Sequence, residues 1–158
     1  MSEKMLIVDD EEGICFSLRG ILEDEGYEVE DAPDGEAALE KMDAEVDVVF
    51  LDMWLPGMDG LEVLDRVRTD FPDAVVVMIS GHGNIETAVK AIKNGAFDFI
   101  EKPLSLEKVL VTADKALEFR RIKVENRDLR SQITHKGVTD ISGDSAPIRH
   151  LRQVIDRV

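Results

Sequence analysis

The sequence predicts an α/β domain built on a doubly wound, five-stranded parallel sheet, followed by an extended C-terminal linker helix. Five short apolar runs of strand length recur along the first hundred residues, and segments with helical spacing of apolar residues lie between them. Two of the runs, 46–51 and 74–79, are almost unbroken apolar, as is typical of central strands buried on both faces. This alternation implies right-handed crossovers that place helices on both sides of the sheet.

The predicted strands are rich in Val, Ile, Leu, Met and Phe, and they cover Met5–Val8, Tyr27–Val29, Val46–Leu51, Ala74–Ile79 and Phe97–Ile100. Four helices are predicted between them from apolar residues spaced three or four apart. These are Ile14, Leu18, Ile21 and Leu22, then Ala37, Ala38, Leu39 and Met42, then Leu61, Val63, Leu64 and Val67, and finally Ile85, Ala88, Val89 and Ile92. The Pro- and Gly-rich segment 55–60 is expected to be a turn that leads into the third helix.

A fifth helix is predicted from Ser105, its expected N-cap, to about His135, where Gly137 should stop it. Thirty residues would form a helix about 45 Å long. Its first half carries an apolar stripe that we expect to pack on the domain, formed by Leu106, Val109, Leu110, Ala113 and Leu117.

Composition favours a globular protein of the cytoplasm. Of the 158 residues, 44% are hydrophobic and 34% charged, which excludes disordered and collagen-like classes. No apolar run approaches the roughly 20 residues of a membrane span, and the N-terminus does not have the pattern of a signal peptide. Cys15 is the only cysteine, so an internal disulfide is excluded, and we interpret it as a helix packing residue.

The charge is divided unevenly along the chain. Residues 1–118 carry 10 basic and 29 acidic side chains, a net charge of −19, whereas residues 119–158 carry 9 basic and 5 acidic ones, a net charge of +4. An acidic surface of this kind repels nucleic-acid phosphates and anionic lipid, and the small positive excess of the tail is too weak to indicate a DNA site. We therefore expect neither direct nucleic-acid binding nor membrane binding.

Polar side chains stand at the carboxyl ends of four predicted strands, where ligands bind in open parallel sheets. Three carboxylates that converge on one crevice repel each other, which a bound cation relieves. Oxygen ligands without nearby sulfur or imidazole select Mg²⁺. The residues are Asp9 and Asp10 after strand one, Asp52 at strand three, Ser80 at strand four and Lys102 after strand five.

These groups suit phosphoryl transfer to a carboxylate. Asp52 can attack an activated phosphoryl group and form an aspartyl phosphate, while Lys102 pairs with the phosphoryl oxygens and Ser80 donates a hydrogen bond to one of them. Each side chain alone also has an ordinary explanation as a helix cap or loop residue. Five such groups at corresponding strand ends favour the functional interpretation.

Four stretches carry a family resemblance: MLIVDDEEG, DVVFLDMWLPGMDG, VVVMISGHG and FDFIEKPLS, in order over residues 4 to about 118. They closely resemble the receiver domain of bacterial two-component response regulators. The resemblance implies a flavodoxin-like strand order 2-1-3-4-5 and makes Asp52 the acceptor of a phosphoryl group from a histidine kinase. It implies that Asp10, Asp52 and the backbone carbonyl of Met53 bind Mg²⁺ directly and that Asp9 acts mainly through a water.

The same resemblance assigns Lys102 to the phosphoryl group and implies a cis peptide bond between Lys102 and Pro103. Ser80 corresponds to the switch hydroxyl and Phe99 to the switch aromatic residue, which together remodel the surface of helix four, strand five and helix five. Ordinary core packing is the alternative for Phe99. Trp54, two residues beyond Asp52, is unusually bulky, and we hypothesise that it shields the acyl phosphate from water.

Beyond residue 118 the apolar stripe changes phase and takes the three-four spacing of a coiled coil. We interpret 119–137 as a dimerising linker, in which a polar pair at Asn126 would favour a parallel dimer in fixed register. A solvated helix end is the alternative. The predicted contact residues are Phe119, Ile122, Asn126, Leu129 and Ile133.

Residues 138–158, VTDISGDSAPIRHLRQVIDRV, resemble the opening of the AAA+ ATPase domain in sigma-54-dependent transcription activators of the NtrC/DctD type, without a Walker A loop. We therefore expect a receiver domain at 1–118 whose phosphorylation controls the dimer arrangement of a downstream ATPase acting on sigma-54 RNA polymerase. The receiver itself would be regulatory, promoting only its own phosphorylation and dephosphorylation. Whether phosphorylation relieves inhibition or creates a contact stays open.

Two alternatives differ in class. A stand-alone receiver would act by protein contact alone, which the long helix and the uncovered apolar face of the tail disfavour. A haloacid dehalogenase-type phosphatase also forms an aspartyl phosphate with Mg²⁺, but its nucleophile ends the first strand and a second acid follows two residues later. Here Asp9 and Asp10 are adjacent and Glu11 follows, which argues against that class.

Overall fold

A computed structural model describes the backbone of residues 3–81 and 85–140 and the side chains of these residues up to 126. Its sheet has the order β2-β1-β3-β4-β5 with every pair parallel, which confirms the predicted fold class and strand order. The strands are β1 Lys4–Val8, β2 Glu28–Ala32, β3 Val46–Asp52, β4 Val75–Ser80 and β5 Asp98–Glu101. The helices are α1 Glu12–Asp24, α2 Gly35–Lys41, α3 Gly60–Asp70, α4 Ile85–Lys93 and α5 Leu106–Asp140.

Alternate residues of the central strands serve two separate apolar cores, because successive side chains of a strand point to opposite faces. One core joins Leu6 and Val49 to residues of α2, α3 and α4. The other joins Ile7 and Phe50 to residues of α1 and α5. The sheet is therefore covered on both faces. Polar groups can collect only at the two edges where the strands begin and where they end.

The strand β2 is displaced from its predicted position, since it covers Glu28–Ala32 and not Tyr27–Val29. It is the edge strand of the sheet, and only Val29 and Ala32 are buried in it. Glu30 and Asp31 are half-buried, so the apolar signal ends before the strand does. The other four strands differ from their predicted bounds by one residue at one or both ends.

The start of α5 agrees with the prediction, because the Lys108 N–H donates to Ser105 Oγ at 3.1 Å, as expected of an N-cap. The predicted end is wrong, since the helix continues through Gly137 to Asp140. A glycine in a helix costs only about 1 kcal/mol and does not force an end. Leu106 was also expected to pack on the domain, but it is exposed, and Ala116 is buried instead.

The chain divides into two compact units, residues 1–121 and 122–158. Residues 141–158, which include most of the predicted ATPase start, lie outside the described part, as do the side chains of Leu129 and Ile133. The predicted domain limits at 118 and 137 stay predictions. Among the helices described, none is long and apolar enough to span a membrane.

The end of the first unit is tied to the amino edge of the sheet by one ion pair. Arg120 Nη1 lies 3.0 Å from Asp47 Oδ1, and the other oxygen of Asp47 accepts the Lys4 backbone N–H at 2.8 Å. Both charged side chains are largely buried, with exposures of 23% and 14%. The ring of Phe119 adds an aromatic contact, 5.1 Å from that of Phe97 between centroids. These contacts fix the part of α5 that lies in the first unit at the edge opposite to the strand ends that carry Asp9 and Asp52.

Asp47→Ala should lower the free energy of unfolding by about 2 to 3 kcal/mol, because it leaves the Arg120 guanidinium largely buried and unpaired. Urea unfolding measures this loss. Glu23→Ala is the matched control, since it breaks the exposed pair with Arg19 and should cost less than about 1 kcal/mol. Equal losses in the two variants would contradict a stabilising role for the Asp47–Arg120 pair.

Candidate functional site

The predicted site residues meet at the carboxyl edge of the sheet. Asp52 and Ser80 are the last residues of β3 and β4, Asp9 and Asp10 follow β1, and Lys102 follows β5. Carboxylate oxygens of the three aspartates lie within 4.8 Å of one another. Asp9, Asp52 and Ser80 are buried, whereas Asp10 is exposed, so the site opens to solvent on one side.

Backbone hydrogen bonds beyond the strands hold these residues in place. The Asp9 N–H donates to Ala32 O at 3.1 Å, and the Lys102 N–H donates to Ser80 O at 2.9 Å. The Met53 N–H donates to Ile79 O at 2.9 Å. The sheet pairing is therefore continued into the loops, and each functional residue leaves its strand at a fixed register.

The Lys102 ammonium lies among three carboxylates. Its Nζ is 3.1 Å from Asp9 Oδ2, 3.2 Å from Glu11 Oε1 and 3.5 Å from Asp52 Oδ2. Glu11 was not among the predicted site residues. The only signal in the sequence was its place directly after Asp9 and Asp10. The sequence does not reveal in which direction a long, exposed side chain points.

The remaining acceptor capacity of the aspartates suits a cation. Asp9 Oδ1 accepts the Glu11 N–H at 2.9 Å, and Asp52 Oδ1 accepts the Trp54 N–H at 3.2 Å. Asp9 Oδ2 is buried and has no hydrogen-bond donor in good geometry within the described residues, although Lys102 lies close to it. A buried anionic oxygen without a donor is costly, and a cation bound by oxygen ligands would satisfy it. The residues present therefore fit Mg²⁺.

The backbone carbonyl of Met53, the fourth predicted ligand, accepts the Gly60 N–H at 3.0 Å. A carbonyl oxygen has two lone pairs, so this bond leaves one for a metal. The approach needs a glycine, because a Cβ on Gly60 would lie 2.7 Å from Met53 Cα and would collide with the Asp52 carbonyl oxygen. The start of α3 is thus packed directly against the loop that follows Asp52.

Burial raises the pKa of Asp52 to about 6, and the nearby charge of Asp9 adds to the rise. The Trp54 N–H and the Lys102 ammonium oppose it. For Lys102 burial alone would lower the pKa, but Asp9, Asp52 and Glu11 together raise it, so the amine stays charged. The ionised carboxylate of Asp52 is therefore held in an unfavourable environment that a bound cation would relieve.

The proposed switch residues lie on neighbouring strands. Ser80 ends β4, and Phe99 lies on β5 in register with Met78. Phe99 is half-buried and packs against the core formed with α2, α3 and α4. This packing suits both interpretations of Phe99, and its switch role and that of Ser80 stay predictions. The Lys102–Pro103 peptide bond is cis, as the resemblance implied.

Two other predicted residues flank the site. Trp54 is 54% exposed, so its indole is accessible to solvent, and its backbone N–H donates to Asp52. Cys15 packs half-buried on the core between sheet and α1, as predicted, and donates to the Asp9 carbonyl at 3.4 Å. Burial, followed by the charges of Asp31 and Asp9, raises the pKa of the Cys15 thiol to about 11, which makes it a poor nucleophile.

Comparisons with known proteins agree with this geometry. The family described as response regulator receiver domain matches residues 5–114. A curated relative, the nitrogen assimilation regulatory protein NtrX of Azorhizobium caulinodans, is 48% identical over the whole of this chain, which spans 35% of that protein. The chain thus covers about a third of the length of the curated relatives it matches.

Solved structures give the same result. The crystal structure of the NtrX receiver domain from Brucella abortus is 50% identical, with a TM-score of 0.69 over 72% of this chain and 98% of that one. The solution structure of the beryllofluoride-activated NtrC4 receiver domain dimer is 45% identical, with a TM-score of 0.70 over 75% of this chain and 98% of that one. These matches support the receiver interpretation. They give no support to the haloacid dehalogenase alternative.

Asp52→Asn should stabilise the metal-free protein by about 1 to 2 kcal/mol at pH 7.5, because it removes a buried charge whose pKa is raised. A raised pKa means that the folded state binds the proton more tightly than the unfolded state. Wild type therefore regains this stability as the pH falls from above about 6 toward about 4, and the advantage of the variant shrinks there.

Thermal unfolding at pH 7.5 and at pH 4, with and without Mg²⁺, measures the effect. The exposed Asp65→Asn on α3 is the charge-matched control and should change little. Mg²⁺ should stabilise wild type more than Asp52→Asn. Two results would contradict a destabilising charge on Asp52. One is an Asp52→Asn variant that is less stable than wild type at pH 7.5. The other is a gain in stability that is as large at pH 4 as at pH 7.5.

Proposed function

The chain belongs to the response regulator receiver domain family, and from that membership we propose that Asp52 accepts a phosphoryl group from a phosphohistidine of a histidine kinase. One observation carries the assignment to this residue. Asp52 is a buried carboxylate with two further aspartates within 4.8 Å and an ammonium at 3.5 Å, so it combines a nucleophile, cation ligands and a fixed positive charge.

In the proposed reaction an oxygen of Asp52 attacks phosphorus, the P–N bond to the kinase histidine breaks, and its electron pair returns to the imidazole, which takes up a proton. The product is an aspartyl phosphate. Asp9, Asp10, Asp52 and the Met53 carbonyl would hold Mg²⁺, which when bound neutralises the charge that builds up on the phosphoryl oxygens. Lys102 would supply the second positive charge at this edge.

We further propose that Ser80 and Phe99 convert phosphorylation into a change of surface. Ser80 ends the strand next to that of Asp52, and Phe99 lies on the following strand, so the two residues connect the acceptor to β5. Movement of the hydroxyl toward a phosphoryl oxygen would open space for the ring. The surface affected would be formed by α4, β5 and the first part of α5.

The output lies beyond the receiver. We propose that 119–137 forms a parallel dimer linker and that the full-length protein carries an AAA+ ATPase that acts on sigma-54 RNA polymerase. The tail resemblance and the relatives, which are about three times as long as this chain, support the proposal. Ile122 is 49% exposed and Asn126 is exposed, so both are accessible to a partner helix.

Incubation with Mg²⁺ and a small acyl or amide phosphodonor should add one phosphoryl group to Asp52, since the site supplies its own electrostatic catalysis. Intact mass followed by peptide mapping locates the group. Asp52→Asn should abolish the adduct, whereas Asp65→Asn should not change it. A phosphoryl group on another residue, or one that survives Asp52→Asn, would contradict the assignment.

Trp54→Ala should shorten the lifetime of the phosphorylated form if the indole shields the acyl phosphate. The loss of label after removal of the donor measures the dephosphorylation rate, and we expect an increase of about threefold to tenfold, which corresponds to about 1 kcal/mol. Trp54→Phe, which keeps an aromatic ring, should lie nearer to wild type. An unchanged rate in Trp54→Ala would show that the side chain has no shielding role.

A further inference from the structure

The first turn of α3 touches both the loop after Asp52 and the start of α2. Its first residue, Gly60, packs directly on the backbone of Asp52 and Met53 and donates its N–H to Met53 O at 3.0 Å. Val63, three residues later, lies against Gly35, the buried first residue of α2. The turn therefore links α2 to the carbonyl that is a proposed ligand of Mg²⁺.

Hydrogen bonds make this turn one unit. The Val63 N–H donates to Asp59 O at 3.2 Å, and the Asp59 side chain accepts the Glu62 N–H at 3.0 Å. The Val63 side chain is fully buried and belongs to the same apolar core as Met53. A displacement of Val63 is therefore passed through the turn to Gly60, and from there to the Met53 carbonyl.

Space, and not backbone conformation, explains the glycine at residue 35. The φ of Gly35 is not positive, and at a helix position with open surroundings alanine is the better residue. A Cβ at residue 35 would lie 2.6 Å from Val63 Cγ2 and 3.2 Å from Met58 Cβ. The first distance is shorter than real Cβ contacts, and the surrounding core keeps Val63 from turning into solvent. A side chain at this position would therefore push the turn away from α2.

We propose that Gly35 is a positioning residue of the cation site. By leaving room for the side chains that face it, Gly35 lets the first turn of α3 hold the Met53 carbonyl in the direction that Mg²⁺ requires. Met58 belongs to the loop that carries this carbonyl, so a larger residue at 35 would press on the loop directly as well as through Val63. The inference rests on the proposed function for the ligand role of Met53, and it adds α2 to the elements that build the site.

The first measurement needs no metal. In Gly35→Ala the hydrogen bond from Gly60 N–H to Met53 O should weaken, and hydrogen exchange of the Gly60 amide should become about fivefold faster, the effect of one hydrogen bond. The Phe71 amide, which donates to Val67 O at the far end of α3, is the internal reference and should change less. A larger change at Gly60 than at Phe71 assigns the effect to the end of the helix that touches the site.

The second measurement titrates Mg²⁺ alone into the full chain, followed by calorimetry and by the fluorescence of Trp54, the only tryptophan. We expect Gly35→Ala to weaken Mg²⁺ binding about tenfold, as is typical when a residue that orients a metal ligand is changed. Gly13→Ala is the matched control, since Gly13 lies in the first turn of α1 and a Cβ there would meet no atom within 4 Å. It should leave Mg²⁺ affinity and the exchange of the Gly60 amide unchanged.

Variants of Val63 separate positioning from stability. Val63→Ala alone should lower stability through the cavity that it leaves in the core, yet keep Mg²⁺ affinity because it does not push the turn. Combined with Gly35→Ala it removes the methyl group that the new Cβ would strike, so this double variant should recover most of the affinity. If Gly35→Ala alone does not fold, the double variant should still bind Mg²⁺ more weakly than Val63→Ala, because the close approach to Met58 remains. Equal affinities would then overturn the proposal.

Three results with folded Gly35→Ala would also overturn it. A Mg²⁺ affinity equal to that of Gly13→Ala would mean that Gly35 serves packing alone. A weaker affinity with unchanged exchange at Gly60 would mean that the effect does not pass through the Met53 carbonyl. A loss of affinity that persists in full in the double variant would exclude Val63 as the contact that matters.

Neither measurement uses phosphorylation, so this test and that of the acceptor can fail separately. If wild type is not phosphorylated on Asp52 but the differences in Mg²⁺ affinity and amide exchange are found, the proposed function fails and the role of Gly35 stands. If Asp52 is phosphorylated but Gly35→Ala behaves like Gly13→Ala, only the role of Gly35 fails.

Discussion

The mutual repulsion of Asp9, Asp10 and Asp52 at the carboxyl edge of the sheet is the constraint on which the other features of the domain depend. Their oxygens lie within 4.8 Å of one another, and one ammonium, that of Lys102, lies close to two of them. The pKa of Asp52 is raised, first by burial and then by the charge of Asp9, so the Lys102 ammonium does not fully offset these two effects. A site with a deficit of positive charge is ready for a divalent cation, and with the cation for the phosphoryl group that we propose it receives.

The fold supplies this arrangement by construction. Parallel pairing brings the carboxyl ends of β1, β3, β4 and β5 to one edge, and the two apolar cores on either face fix their register. Close packing at Gly60 holds the loop after Asp52, and the hydrogen bond from Lys102 N to Ser80 O holds the residue that carries the ammonium. The opposite edge is stabilised separately by Asp47 and Arg120.

Much of this was predictable from the sequence because it depends on strand ends. Asp52 and Lys102 stand beside apolar runs, and a parallel sheet collects such residues whatever the details of packing. The strand β2 was placed incorrectly because an edge strand with Glu30 and Asp31 has little apolar signal. The extension of α5 past Gly137 was missed because a glycine only weakens a helix. Glu11 was missed for another reason, since a flexible side chain is located by its partner and not by its neighbours in the chain.

The most direct test of the account is a crystal structure of the chain with Mg²⁺ and beryllofluoride, a mimic of the phosphoryl group. We predict beryllofluoride on Asp52, the cation among Asp9, Asp10 and Asp52, and Lys102 Nζ in contact with a fluoride. Beryllofluoride bound to another carboxylate, or beryllofluoride on Asp52 with no cation among the three aspartates, would contradict the claim that charge balance at Asp52 governs the domain.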